Sequence, residues 1–154
     1  MKWILGAILA ILLCGCLENE ANFDALNLGK ISATYANKML TITQDSSDNS
    51  DFMLFFFTST CGVCKEQIPI LEELSQNIRI YGILGDISNT QKAQDFIESS
   101  KITMPIFYQS NARRFLANAS NGIKGVPVIV VFKNGKVAQK FIGLTPKGIL
   151  ASAF

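Results

Sequence analysis

The chain has 154 residues, of which 49% are hydrophobic, and a formal net charge of +2 at pH 7. This length suffices for one domain with a buried core and is too short for two. The basic residues are scattered, and the one adjacent pair, Arg113 and Arg114, is typical of a solvated helix face. We therefore expect no nucleic-acid partner.

The cysteine count and the lack of histidine limit the chemistry further. Of four cysteines, Cys14 and Cys16 lie near the N-terminus, which leaves Cys61 and Cys64 for the domain. A structural zinc site takes about four nitrogen or sulfur ligands, so we expect no metal and no cofactor. Ser–His and Cys–His catalysis are excluded without histidine. Covalent haem attachment at C-x-x-C-H is also excluded, because Lys65 follows Cys64.

The N-terminus has the features of a bacterial lipoprotein signal. A lysine precedes an apolar run at residues 3–13, which is short for a spanning helix and typical of a signal-peptide core. Residues 13–16 (Leu-Cys-Gly-Cys) resemble a lipobox with Cys16 as the lipid-bearing residue. We expect residues 1–15 to be a signal peptide and 16–27 a polar tether. The domain would then be exported and lipid-anchored to a bacterial membrane, facing the periplasm or extracytoplasmic space; an uncleaved N-terminal anchor is the alternative.

The domain proper, residues 28–154, opens with short strands predicted at 28–35 and 39–43. Asn37 and Lys38 make the turn between them. The polar and acidic segment 44–51 predicts a loop.

A nearly all-apolar run at 52–58 predicts a buried strand, and the apolar spacing after it predicts a helix to about residue 76. Pro69 lies inside this helix, where it removes a backbone donor and should bend the helix. The elements predicted next are a strand at 78–85, a helix at 89–100 with Ala93, Phe96 and Ile97 inward, a short strand at 106–108 and a helix at 112–119.

The last third has the most regular pattern. A strand is predicted at 128–133, a two-residue hairpin turn at Asn134 and Gly135, and the returning strand at 137–142. Pro146 begins a short final helix. Strands that alternate with helices and end in a hairpin and a helix predict an α/β sandwich with a mixed sheet.

Cys61, Gly62, Val63 and Cys64 lie where the strand at 52–58 runs into its helix. There the unpaired backbone N–H groups and the positive end of the helix dipole favour a thiolate. A second cysteine three residues on can resolve the mixed disulfide that the first one forms. The pattern indicates a dithiol redox centre in which Cys61 attacks and Cys64 resolves.

Several motifs in order resemble the thioredoxin superfamily: the C-x-x-C pair at 61–64, Pro69, Gly125-Val126-Pro127, the hairpin at 133–136 and Gly143. The resemblance implies a three-layer sandwich and a thiol:disulfide oxidoreductase. It also implies that Pro127 is cis and faces the cysteine pair, and that the backbone of Val126 pairs with the substrate peptide. A trans proline that merely opens a strand is the alternative.

The motif spacing is similar to one subgroup of this superfamily. Between Cys64 and Pro127 lie 62 residues, more than in a plain thioredoxin. The extra segment falls at 86–108, where the membrane-anchored TlpA, ResA and cytochrome-c-maturation thioredoxins carry an added helix and strand. The resemblance implies a monomer that exchanges disulfides with protein thiols, with apocytochrome c or its maturation factors as candidate substrates. The cysteine motif fits an oxidant as well as a reductant, and the insertion and the lipid anchor favour a reductant supplied by a membrane thiol-disulfide donor.

Three positions depart from the family pattern. Thr60 stands where most relatives have tryptophan, which makes the lip of the site smaller and more polar. Phe55 replaces a buried aspartate, and Gln67 replaces the glutamate common in TlpA-like proteins. Glu66 should point elsewhere, because one residue turns about 100° around a helix. The usual proton acceptor for Cys64 is therefore expected to be missing.

Three other functions stay open. Residues 58–61 (Thr-Ser-Thr-Cys) imitate the T-x-x-C of peroxiredoxins, which are thiol peroxidases, although Leu54 stands where those proteins have proline. A Sco-type copper-delivery protein shares the fold and anchoring but needs a histidine and usually a wider cysteine spacing. A non-catalytic interaction lipoprotein is the third, and the intact cysteine pair argues against it.

Overall fold

The computed structural model describes residues 19–154, so the predicted signal peptide and Cys16 lie outside the described residues. The elements in chain order are β1 (Asn19–Leu26), β2 (Gly29–Ala36), β3 (Met39–Gln44), β4 (Ser47–Asn49), β5 (Phe52–Phe57), α1 (Gly62–Leu74), β6 (Ile80–Leu84), α2 (Thr90–Ser99), β7 (Ile106–Phe107), α3 (Ser110–Ala119), β8 (Val128–Lys133), β9 (Lys136–Ile142) and α4 (Lys147–Ala153). The strands form one sheet in the order β4-β3-β2-β1-β7-β6-β5-β8-β9.

Strand β5 lies between β6 and β8, and all six of its residues are buried. It runs parallel to β6, with Phe55 opposite Gly82. It runs antiparallel to β8, with Leu54 opposite Val130. A strand that is buried on both faces carries a continuous apolar run, which explains the sequence pattern there. Because β5 and β8 are antiparallel, the last residues of β5 and the first residues of β8 lie side by side at one end of these strands.

Helices pack on both faces of the sheet, which confirms the predicted three-layer α/β sandwich. Phe55 and Phe57 lie in the core that α1, α2 and α4 cover, and their ring centroids stack 4.8 Å apart. Phe52, Leu54 and Phe56 lie in the opposite core, formed with α3 and strands β1 to β3. Alternate side chains of one strand thus belong to two different cores.

The predicted tether at 16–27 is wrong for Asn19–Leu26, which form β1. This strand pairs antiparallel with β2 along its length and with β7 at its end. Phe23 and Ala25 are buried while Asn22 and Asp24 are exposed, and the Phe23 ring packs edge-on against Phe107. Residues 20–25 alternate between polar and apolar side chains, which is a strand signal that the tether prediction overlooked. The domain therefore includes β1 and does not start at residue 28.

The predicted loop at 44–51 is wrong for Ser47–Asn49, which form β4 and pair antiparallel with β3. Asp45 and Ser46 join the two strands, and both have positive φ, 49° and 63°. Two left-handed residues match the twist of a tight hairpin. The turn is built without glycine, so the sequence carries no strong hairpin signal.

The other predicted elements are present, with ends that differ by no more than about two residues, as is usual for such boundaries. Asn37 and Lys38 make the β2–β3 turn with positive φ. The predicted inserted helix and strand are α2 and β7. Within residues 19–154, none of the helices has the length and apolar character needed to cross a membrane.

Candidate functional site

Cys61 and Cys64 form a disulfide at the junction of β5 and α1, where the sequence predicted the pair. Their Cα atoms are 5.2 Å apart. Cys61 is the N-cap residue of α1, and the backbone N–H of Cys64 donates to the Cys61 Sγ at 3.1 Å. The same N–H and the helix dipole are available to stabilise a Cys61 thiolate in the reduced protein.

The two cysteines differ in exposure. Cys64 has no exposed surface and lies in the core under α1, whereas Cys61 is half-buried. Around Cys61, Thr60 and Gly62 are exposed, and Val63 keeps 44% of its surface exposed. This arrangement favours Cys61 as the sulfur that a protein substrate can reach.

The Val126–Pro127 peptide bond is cis, so the trans alternative is wrong. Pro127 directly precedes β8, whose first residue, Val128, pairs with Phe56 near the end of β5. Pro127 is buried, and its carbonyl accepts a hydrogen bond from the Gly143 N–H at 3.0 Å. Val126 remains 40% exposed. The cis proline thus lies at the same end of the strands as the cysteine pair, where β5 leads into Cys61.

Gln67 is fully buried on α1, one turn after Cys64. Its amide nitrogen donates to the Thr145 carbonyl at 3.1 Å, and its Oε1 accepts from the Thr145 N–H at 2.7 Å. Both functions of the side chain are used, so Gln67 links α1 to the segment before α4. A neutral amide in this place cannot take a proton from Cys64.

The rest of the surroundings of Cys64 are apolar. Phe55 is buried in the same core, and Glu66 is exposed, as predicted. Within residues 19–154 the buried polar side chains are Asn49, Gln67, Ser120 and Thr145, and none is a carboxylate. Pro69 lies on the exposed side of α1, which continues past it to its last residue.

Asp86 is a further residue of the site that the sequence reasoning missed. It follows the end of β6, and its carboxylate accepts hydrogen bonds from the Ser59 N–H at 2.9 and 3.1 Å and from the Ser59 Oγ at 2.6 Å. Burial acts to raise the pKa of Asp86, but hydrogen bonds from Ser59 and from the backbone of Asp86 and Thr60 outweigh it and lower the pKa. The available signal was an acidic residue directly after a strand parallel to β5.

Taken together, these features suit reversible transfer of two electrons between a dithiol and a disulfide. One sulfur lies at a helix N-terminus within reach of solvent, and its partner lies beneath it. Exchange needs an accessible attacking thiolate and a neighbour that resolves the mixed disulfide.

The chain is similar to known proteins both in sequence and in fold. The chain is 32% identical over 92 residues to a thioredoxin of Rhodospirillum rubrum, covering 60% of this chain and 67% of that protein. It is 32% identical over 91 residues to the chloroplastic thioredoxin Y of Oryza sativa subsp. japonica, covering 59% of this chain but spanning 41% of that relative. In fold it is similar to StoA from Bacillus subtilis, with a TM-score of 0.66, 18% identity and coverage of 90% of this chain and 98% of that chain. No protein-family model matches the chain.

Proposed function

Because this chain belongs to the thioredoxin family and is a thiol-disulfide oxidoreductase with a C-x-x-C pair, we propose that it reduces protein disulfides outside the cytoplasm. The observation that carries the disulfide exchange in this proposal is the difference in exposure between the two cysteine sulfurs. Cys61 is accessible at the start of α1, whereas Cys64 is fully buried behind it.

The reaction has two exchange steps. The Cys61 thiolate attacks one sulfur of a substrate disulfide, so that the substrate S–S bond breaks, a mixed disulfide forms and the other substrate sulfur leaves as a thiolate. Cys64 then loses its proton and attacks the Cys61 sulfur. This closes the Cys61–Cys64 disulfide and releases the second substrate thiolate. Two electrons pass from the pair to the substrate, and a membrane thiol-disulfide donor restores the dithiol by the reverse exchange.

Substrate docking is assigned to the exposed surface beside the pair. Val63, Val126 and Leu144 are large apolar residues with 44%, 40% and 47% of their surface exposed. The hydrogen bond between Gly143 and Pro127 places Leu144 near the cis bond. An extended peptide would pair with the backbone of Val126 and cover these side chains, with Thr60 at the rim.

The N-terminus and the insertion support the proposed location and partners. A lysine, an apolar run and Cys16 support export and acylation, and α2 and β7 support a place among the TlpA- and ResA-like proteins. Lipid anchoring beside a membrane donor favours a reductant. Apocytochrome c or its maturation factors are the proposed substrates, and the protein would act as a monomer.

Substrate trapping tests the proposal. Cys64→Ser in the exported protein should accumulate mixed disulfides that a reducing agent releases, while the control Cys61→Ser should trap few or none. For a reductant we expect a potential nearer to about −270 mV than to about −120 mV, the value of a strong periplasmic oxidant. Better trapping by Cys61→Ser, or a potential near that of the oxidant, would contradict the proposal.

A further inference from the structure

The segment between β5 and Cys61 contacts the residues that follow β6, beyond the last residue pair of the parallel β5–β6 ladder. Phe57 is paired with Leu84, and the Gly85 N–H donates to the Phe57 carbonyl at 2.7 Å. Past that point the backbones no longer pair. There the Asp86 carboxylate accepts hydrogen bonds from the Ser59 N–H and hydroxyl, and these take the place of backbone ladder bonds.

The loop that carries Asp86 is also held by α3, which packs on the face of the sheet opposite α1. The Arg113 guanidinium on α3 donates to the Gly85 carbonyl and, at 3.3 Å, to the Ser88 hydroxyl. These two contacts lie on either side of Asp86 in the chain. Arg113 is the charged side chain of α3 that contacts this loop, and it donates to the Gly85 carbonyl and the Ser88 hydroxyl. The Asp86 carboxylate accepts its hydrogen bonds from Ser59.

We propose that Asp86 is a positioning residue that, through Ser59 and Thr60, keeps the Cys61 sulfur over the N-terminus of α1. Only Thr60 separates Ser59 from Cys61, so movement of Ser59 is passed directly to the N-cap. The Cys64 N–H, which is 3.1 Å from the Cys61 Sγ in the disulfide form, and the helix dipole stabilise the thiolate best while Cys61 stays at this position. Holding the loop therefore lowers the pKa of Cys61 in the reduced protein. This inference deepens the proposed function, because it rests on Cys61 being the attacking thiol.

A through-space effect of the Asp86 charge would act in the opposite direction. A negative charge near a thiol disfavours the thiolate, so removing it should lower the pKa of Cys61. Positioning predicts instead that removing the carboxylate raises that pKa. The sign of the change therefore distinguishes the two effects.

The test is the pH dependence of iodoacetamide alkylation at Cys61 in the reduced full chain, with the labelled cysteine identified by peptide mapping. We expect Asp86→Ala to slow alkylation about three- to tenfold below the pKa of both proteins, the size of a weakened helix-terminus interaction. Ser59→Ala removes one donor and no charge, and should slow alkylation less, in the same direction.

Asp51→Ala is the matched control. The Asp51 carboxylate likewise accepts a backbone N–H, from Asn134 at 2.6 Å, and it pairs with Lys133, but it lies at the opposite end of β5. Its removal should loosen a turn without changing alkylation of Cys61. If Asp86→Ala does not fold, Ser59→Ala carries the test.

Unchanged alkylation in both variants, or faster alkylation in Asp86→Ala, would overturn the positioning role. Labelling of Cys64 before Cys61 in the unsubstituted protein would instead contradict the proposed function. The two failures are therefore distinguishable.

Discussion

Gln67 and the Thr145 backbone form a reciprocal pair of hydrogen bonds, of 3.1 and 2.7 Å, between residues 78 positions apart. Each member is buried. The position at which TlpA-like relatives carry glutamate is thus occupied here by a group that ties α1 to the start of α4. Any change at Gln67 therefore acts on the stability of this link, and a change that introduces a base also acts on the chemistry of Cys64.

Gln67→Glu should speed the resolving step. The protonated carboxyl can keep both hydrogen bonds to Thr145, but the ionised form leaves the Thr145 carbonyl without a donor, so burial raises the pKa of the introduced carboxyl. The protonated carboxyl therefore stabilises the folded protein fully below the unfolded pKa of about 4.3. This stabilisation is lost as the pH rises through the folded pKa. The ionised form supplies the missing base, worth part of about 10²–10⁴ in rate.

Rapid-mixing kinetics of mixed-disulfide decay between pH 6 and 9 would measure this effect. Gln67→Met is the control, since it removes both hydrogen bonds without adding a base. It should cost about 1–3 kcal/mol for each Thr145 group left unpaired and leave the resolving rate unchanged. A Gln67→Glu rate equal to that of the wild type over this pH range would contradict the account.

Asp86 should make part of the stability depend on acid pH. Hydrogen bonds lower the folded pKa of Asp86 below its ordinary value of 3.8. Its contribution is therefore present above the unfolded pKa and is lost as the pH falls through the folded value. The difference in unfolding free energy between wild type and Asp86→Asn should shrink as the pH is lowered below about 4. Urea unfolding from pH 2 to 7 measures it, and a difference that stays constant down to pH 2 would argue against this assignment.

Strand β1 should be needed for folding, which a flexible tether would not be. Phe23 is 3% exposed, and its ring packs against Phe107 and Phe115 at centroid distances of 5.9 and 5.6 Å. Phe23→Ala should cost about 3–5 kcal/mol in denaturant unfolding. Asn22→Ala, next to it on the exposed face, removes only an exposed hydrogen bond from Ser32 and should cost about 0.5–1.5 kcal/mol. Equal effects of the two substitutions would mean that β1 contributes little to the core.

Cys16 is predicted to be the acylated N-terminus of the mature protein. Each buried methylene of a lipid contributes about 0.8 kcal/mol, and firm anchoring takes more than one chain. Cys16→Ser should leave an unprocessed precursor, detected by its larger mass, while Cys14→Ser should be processed normally. Normal processing and membrane retention of Cys16→Ser would refute the prediction.

The order of the elements and the place of the cysteine pair could be predicted because their signals are local. The apolar run before Cys61, the helical spacing after Cys64 and the Asn134-Gly135 turn each arise within a few residues. The cis bond at Pro127 was not a local inference. It came from resemblance, since an isolated proline gives no sign of its isomer.

The sequence by itself therefore determined the fold class, the dithiol and its position at the start of a helix. Only the tertiary structure decided which polar residues serve that dithiol. Ser59 meets Asp86 across 27 positions and Gln67 meets Thr145 across 78, and such side-chain contacts leave no periodic trace in the sequence. The strand around Phe23 does leave such a trace, an alternation of polar and apolar residues at 20–25. Only the tertiary structure decided that this segment joins the sheet, because its burial depends on pairing with β2 and β7 and on contact with Phe107.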